Sequence, residues 1–145
     1  MMIRALVVDD SGIMRKMVMR SLAESRLAQF TFTEGVDGAD ALTKFNPDLI
    51  DMIFVDWNMP NMSGIDFVRN VRAACKRHVP IVMITTESTM AKVEEALDGA
   101  GVDSYVCKPF TTDVLKQKLT PLFEKLTAAS QPKGGFFSKL AASFS

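Results

Sequence analysis

The stretch Ile50-Asp51-Met52-Ile53-Phe54-Val55-Asp56-Trp57-Asn58-Met59-Pro60-Asn61-Met62-Ser63-Gly64 reads as a buried strand that delivers a carboxylate into a Pro/Gly loop. The largely apolar run Ile50–Val55 has the length of a strand, and Asp56 stands where it ends. Working outward, three other apolar runs end in polar chemistry. Ile3–Val8 runs into Asp9-Asp10, Ile81–Ile84 into Thr85, and Tyr105–Cys107 into Lys108-Pro109. In a doubly wound α/β sheet, ligands bind outside the carboxyl ends of the strands. Three acids, one hydroxyl and one lysine therefore converge on one edge. Such a set suits an aspartate that accepts a phosphoryl group with the help of a divalent cation.

Amphipathic stretches alternate with these runs, the mark of βαβ units and a parallel sheet. A second, short strand is expected near Thr31–Glu34. Ser11 is placed to cap a first helix whose apolar face is Ile13, Met14, Met17, Val18 and Leu22, the methionines serving as core filler. Asp37-Gly38 turns the chain into a short helix, Ala39–Phe45, stopped by Asn46-Pro47. Ser63 caps a third helix to about Cys75, and Pro80 opens the strand Ile81–Ile84. Ser88 starts a fourth helix that ends near Asp98, broken by Gly99 and Gly101. The strand Ser104–Cys107 and a helix from Thr111 or Thr112 to about Ala128 complete five βα units. Right-handed crossovers fold these into a three-layer sandwich. Periodicity alone leaves the strand order open.

Composition narrows the function. The 145 residues suffice for one domain with one core. The 17 basic and 17 acidic residues balance, which gives no electrostatic footprint for nucleic acid. No apolar run approaches the length of a membrane span, so no membrane insertion is expected. The start, Met1-Met2-Ile3-Arg4, lacks the features of a signal peptide, and the chain reads as cytoplasmic. Cys75 and Cys107 are read as small core or near-surface residues, with Cys107 on a buried strand. His78, the single histidine, is read as a solvated loop residue.

The chemistry follows from residue type. Adjacent acids repel unless a cation joins them, and Asp9, Asp10 and Asp56 offer the hard oxygens that Mg²⁺ takes. Asp56 is the candidate nucleophile, because a carboxylate can form an acyl phosphate. Lys108 supplies a point charge for a phosphoryl oxygen, and Thr85 a hydroxyl donor.

On these motifs the chain resembles the receiver domain of two-component response regulators over roughly Ile3 to Leu126. The resemblance rests on Asp9-Asp10, Asp56–Gly64, Thr85 with Glu87, and Tyr105-Val106-Cys107-Lys108-Pro109-Phe110. The stretch Asp56–Gly64 looks especially like the single-domain regulators of bacterial chemotaxis. The resemblance implies a flavodoxin-like strand order of 2-1-3-4-5. It implies that Asp56 takes phosphate from a sensor histidine kinase. Mg²⁺ would be held by Asp10, Asp56 and the Asn58 backbone carbonyl, with Asp9 acting mainly through an intervening water. Thr85 and Lys108 would contact the phosphoryl group. Asn58 and Glu87 would tune its lifetime. Tyr105 would swing inward to reshape the face made by the fourth helix, fifth strand and fifth helix, which controls an unidentified downstream protein. The Lys108-Pro109 peptide would be cis. The protein would then be no enzyme beyond its own phosphorylation and dephosphorylation.

Other readings compete. A haloacid-dehalogenase-like phosphatase also uses a strand-end Asp, a Thr, a Lys and Mg²⁺, but needs a second Asp where this chain has Asn58. A receiver that only passes phosphate on, as a sink or relay, shares every motif. A flavodoxin-like nucleotide or flavin binder is disfavoured by the absence of G-x-G-x-x-G and a Walker Lys. Residues 1–128 are read as the receiver and 129–135 as a flexible linker. Residues 136–145 are read as a short amphipathic tail, with Phe137, Leu140, Ala141 and Phe144 expected on one helical face. That tail is a candidate for docking in cis, or on a neighbouring subunit, beside Tyr105.

Overall fold

The structure is a computed structural model that describes residues 1–130. The elements alternate strictly: β1 (Met2–Val8), α1 (Gly12–Ser25), β2 (Gln29–Gly35), α2 (Gly38–Lys44), β3 (Met52–Val55), α3 (Gly64–Ala74), β4 (Ile81–Thr85), α4 (Met90–Glu94), β5 (Ser104–Cys107) and α5 (Thr112–Ser130). A π-helical segment, Glu95–Ala100, continues α4. All strands are parallel in the order β2-β1-β3-β4-β5. The strand order that periodicity left open is thus the flavodoxin-like one.

Alternation along the strands builds two cores, one on each face. Met52 and Phe54 of β3 face α1 and α5, where they meet Val18, Leu22, Leu115 and Leu119. Ile53 and Val55 face the other way, toward Phe67, Val68 and Val71 of α3. Because β3 is buried on both faces, its sequence is apolar throughout, as a central parallel strand requires.

Side-chain caps start the helices where the sequence puts them. The Ser11 hydroxyl accepts from Met14 N–H, the Asp37 carboxylate from Asp40 N–H, and the Ser63 hydroxyl from Asp66 N–H. Several boundaries differ from the sequence reading. β3 begins at Met52, since Asp51 is drawn aside by Arg4, whose guanidinium donates to both carboxylate oxygens at 2.9 Å. β2 is longer than expected, because its whole length pairs with β1. The fourth helix is capped by Thr89, whose hydroxyl accepts from Lys92 N–H, rather than by Ser88. Gly99 does not break that helix. Only Gly101 does, at φ +86°, in the left-handed region where glycine is favoured. α5 runs on to Ser130, two positions into the expected linker, through the good helix formers Ala128 and Ala129. The remaining linker and tail positions, with Phe137, Leu140, Ala141 and Phe144, lie outside the described residues.

Burial corrects two further readings. The buried stripe of α1 runs through Val18 and Leu22, while Ile13 and Met17 are exposed. The broad apolar arc Ile13-Met14-Met17-Val18 left the axis of that stripe ambiguous by one residue. Cys107 is exposed, because it ends an edge strand. His78 sits exposed in the loop before β4, as expected, and its Nε2 lies 2.7 Å from Asp103 Oδ1.

One close approach ties the fold to the loop after β3. A Cβ on Gly64 would stand 1.9 Å from the Asp56 carbonyl oxygen, which is backbone and cannot step aside. Gly64 also donates its N–H to Trp57 O at 2.8 Å. Gly64→Ala should therefore lower stability by about 3 kcal/mol or more, whereas Gly99→Ala, which meets nothing closer than 3.8 Å, should stay within about 1 kcal/mol of the wild type. Denaturant midpoints of the two variants test this, and equal midpoints would refute it.

Candidate functional site

Parallel register brings the expected residues together. Val8 pairs with Val55, so Asp9 and Asp56 leave neighbouring strands side by side. Thr85 pairs with Cys107, so Lys108 follows directly beside the end of β4. Asp9, Asp10 and Asp56 each present a carboxylate oxygen, and these oxygens lie within 4.8 Å of one another. Asp9 and Asp56 are buried and Asp10 is exposed, so the cluster opens to solvent on one side.

Each buried group has a defined role in the cluster. Lys108 Nζ donates to Asp9 Oδ2 at 2.7 Å and lies 3.5 Å from Asp56 Oδ2. Its side chain is only 8% exposed, which holds the ammonium between the two carboxylates. Asp9 Oδ1 accepts from Ser11 N–H, and the Asp9 carbonyl from Arg15 Nη1. Asp56 Oδ1 accepts from Trp57 N–H at 2.8 Å. Burial raises the Asp56 pKa above the ordinary carboxylate value; Lys108 and a hydrogen bond with Thr85 oppose the shift. Thr85 is fully buried, and its Oγ1 also accepts from Glu87 N–H at 3.3 Å.

Asn58 and Glu87 meet: Asn58 Nδ2 donates to Glu87 Oε1 at 2.9 Å. Tyr105 is buried and turned inward, its hydroxyl donating to the Glu87 carbonyl at 2.6 Å. Burial pushes the pKa of that phenol up to about 12. Lys108-Pro109 is cis. The expected residues on 1–130 thus occupy one edge of the sheet, apart from Tyr105, which reaches it through Glu87.

The residues match the description of the response regulator receiver domain over positions 5–120. The chain belongs to that family. Among its relatives, the chemotaxis protein CheY of Pseudomonas aeruginosa is 41% identical over 125 residues, covering 85% of this chain and 98% of the relative. The chemotaxis protein CheY1 of Helicobacter pylori is 44% identical over 118 residues, covering 80% and 93%. In structure, the chemotaxis response regulator CheY4 of Vibrio cholerae superposes with a TM-score of 0.73 at 33% identity, covering 84% and 99%. No helix among the described residues of this receiver is long and apolar enough to cross a membrane.

The structure adds contacts that the sequence did not reveal. Asn61, at φ +67°, donates from Nδ2 to Asp37 Oδ2 at 2.6 Å and so fastens the loop after Asp56 to the cap of α2. An Asn in a turn is the only local signal for this strap. Lys92 Nζ stands 4.6 Å from the centroid of the Trp57 ring, a contact with no signature in sequence spacing.

The raised pKa of Asp56 means that the folded chain binds this proton more tightly than the unfolded chain. Ionised Asp56 therefore weakens the fold at neutral pH, and that penalty fades as the pH falls through the raised pKa. Without divalent cations, Asp56→Asn should raise Tm at neutral pH by on the order of 3 °C. The gain should vanish as the pH approaches 3.8, the ordinary value for the group. Thermal melts of both proteins across pH check this, and a lower Tm for the variant at neutral pH would contradict it. Tyr105 is the one tyrosine, so phenolate absorbance follows it directly. In the folded protein the band should stay absent at pH 10 and rise only toward about 12.

Proposed function

We propose that this receiver domain is a phosphorylation-dependent switch of a two-component system of the chemotaxis type, with Asp56 as the phosphoryl acceptor. The observation that supports this most is the Asp56 carboxylate itself. One oxygen is fixed by Trp57 N–H, and the other faces the Lys108 ammonium at 3.5 Å. A carboxylate held this way is oriented before any donor arrives, which is how positioning lowers a barrier.

In this reading a phosphorylated histidine of a sensor kinase presents its phosphorus to an Asp56 oxygen. The P–N bond breaks as the P–O bond forms, and the imidazole leaves. Lys108 and the Thr85 hydroxyl take the transferred oxygens. Asp10, Asp56 and the Asn58 backbone carbonyl would hold Mg²⁺, with Asp9 beside them; the donors are hard oxygens, as Mg²⁺ prefers. When bound, Mg²⁺ neutralises charge on the phosphoryl oxygens. The chain turns over no external substrate in this scheme beyond its own acyl phosphate. Asn58 in place of a second acid counts against a phosphatase of the haloacid-dehalogenase type.

Once a phosphoryl oxygen occupies the Thr85 hydroxyl, the bonds from Asp56 and from Glu87 N–H must adjust. Glu87 also holds Tyr105, so the change passes to the face formed by α4, β5 and α5, where a downstream protein docks. The chemotaxis assignment rests on the names of the relatives.

Incubation with acetyl phosphate and Mg²⁺ should add one phosphoryl group to the wild type and none to Asp56→Asn, read by intact mass. Chelating the cation should abolish the addition. Equal labelling of the two proteins would remove Asp56 from the role.

A further inference from the structure

The segment that runs from the end of β4 into the first turn of α4 is fastened to the phosphoacceptor loop at two points. Asn58 holds it at Glu87 through the 2.9 Å amide bond, and Trp57 holds it at Lys92 through the ring contact. Trp57 and Asn58 are the two residues that directly follow Asp56. Trp57 is buried, belongs to the core beneath α4, and has its N–H on the Asp56 carboxylate. Lys92 makes no salt bridge among the described residues, and its ammonium lies over the indole face of Trp57. An ammonium over an indole is attracted by the negative face of the ring.

The helix that Lys92 anchors is short. Regular α-helix covers only Met90–Glu94 before the wider π-helical turns begin at Glu95. Such a widening separates the anchored turn from the rest of the helix, and π segments often accompany functional sites. Beside the Lys92 contact, the partly buried Val93 packs this turn on the same core as Trp57, while Met90 and Ala91 are exposed and no residue of α4 is fully buried.

We propose that Lys92 is a positioning residue that acts through Trp57. It holds the start of α4 across the phosphoacceptor loop and lengthens the life of the phosphoryl group on Asp56. The inference rests on Asp56 being the acceptor. Loss of the group requires water to attack phosphorus from the solvent side. The P–O bond to Asp56 then breaks, the carboxylate is restored and inorganic phosphate leaves with the water's oxygen. Asn58 and Glu87 stand on that side, and their mutual bond survives only while the β4–α4 segment stays closed over the loop. The Lys92 contact keeps it closed.

The test uses the full chain and a pair of substitutions that separate charge from bulk. Lys92→Met keeps a long apolar stem and removes the ammonium, while Lys92→Arg keeps a cation able to stack on the ring. After labelling with acetyl phosphate and Mg²⁺, Lys92→Met should lose its phosphoryl group about two- to fivefold faster than wild type, the factor a partly solvated cation–π contact supplies. Lys92→Arg should match the wild type. In a Trp57→Leu background, Lys92→Met should bring no further acceleration. Trp57 is the single tryptophan, so its emission should shift in Lys92→Met and not in Lys92→Arg. Equal phosphoryl lifetimes for Lys92→Met and wild type, or the same acceleration with and without the indole, would overturn the proposal. Should the wild type take no phosphoryl group at all, the acceptor reading of Asp56 fails and this proposal with it. The emission comparison would then still report whether the Lys92 contact exists.

Discussion

Three carboxylates crowd one edge of the sheet with a single ammonium among them. Lys108 reaches two of the acids, at 2.7 and 3.5 Å, from a side chain almost sealed from water. Without it, Asp9 and Asp56 would be like charges sharing a buried site, an arrangement that costs several kcal/mol per uncompensated ion. With it, the cluster still carries a surplus of negative charge. That residue of charge is the physical reason a divalent cation suits the place, and it works with burial to keep the pKa of Asp56 high. The geometry depends on parallel register and on Gly64, which lets the first turn of α3 lie against the Asp56 carbonyl. A larger residue there would displace the loop that carries Asp56.

The opposite edge of the sheet handles charge differently. Asp103 accepts from Arg72 and from Ile81 N–H and faces His78, and the Arg72 guanidinium also donates to the carbonyls of Val79 and Gly101. Arg4 and Asp51 form a two-pronged pair nearby. These groups satisfy one another, so the edge locks loops together and leaves little unbalanced charge. The receiver therefore separates its charges by purpose: closed pairs at the amino ends of the strands, an open surplus at the carboxyl ends.

The alternation of strands and helices was legible because β3, and β4 as far as Ile84, are buried on both faces and carry only apolar residues. The acids, Thr85 and Lys108 were legible because they stand at the ends of apolar runs. The burial stripe of α1 was not, since four apolar residues in its first turns allow more than one axis and only packing against α5 selects Val18 and Leu22. The length of the fourth helix was not, because Gly99 and Gly101 look alike in sequence while only Gly101 adopts a positive φ. The pairing of His78 with Asp103 joins residues far apart in the chain and leaves no local trace. The same is true of Lys92 and Trp57.

Glu87 is the residue through which the site and the rest of the molecule communicate. Its N–H donates to Thr85 Oγ1, its carboxylate accepts from Asn58, and its carbonyl accepts from Tyr105. A change at Thr85 or at Asn58 therefore cannot leave Tyr105 undisturbed, because the three bonds share one residue and one short segment of backbone. Buried Tyr105 has little freedom to absorb the change by local rearrangement, since it belongs to the core beneath that face. The displacement must pass into the β4–α4 segment or into β5. Of the two, β5 is held along its length by the hydrogen bonds to β4. The β4–α4 segment has no ladder of this kind: it is held by separate contacts with Trp57, Asn58, Thr85 and Tyr105 and by the partly buried Val93 against the core. It is the softer of the two, and so the part of the fold on which a phosphoryl group at Asp56 would act.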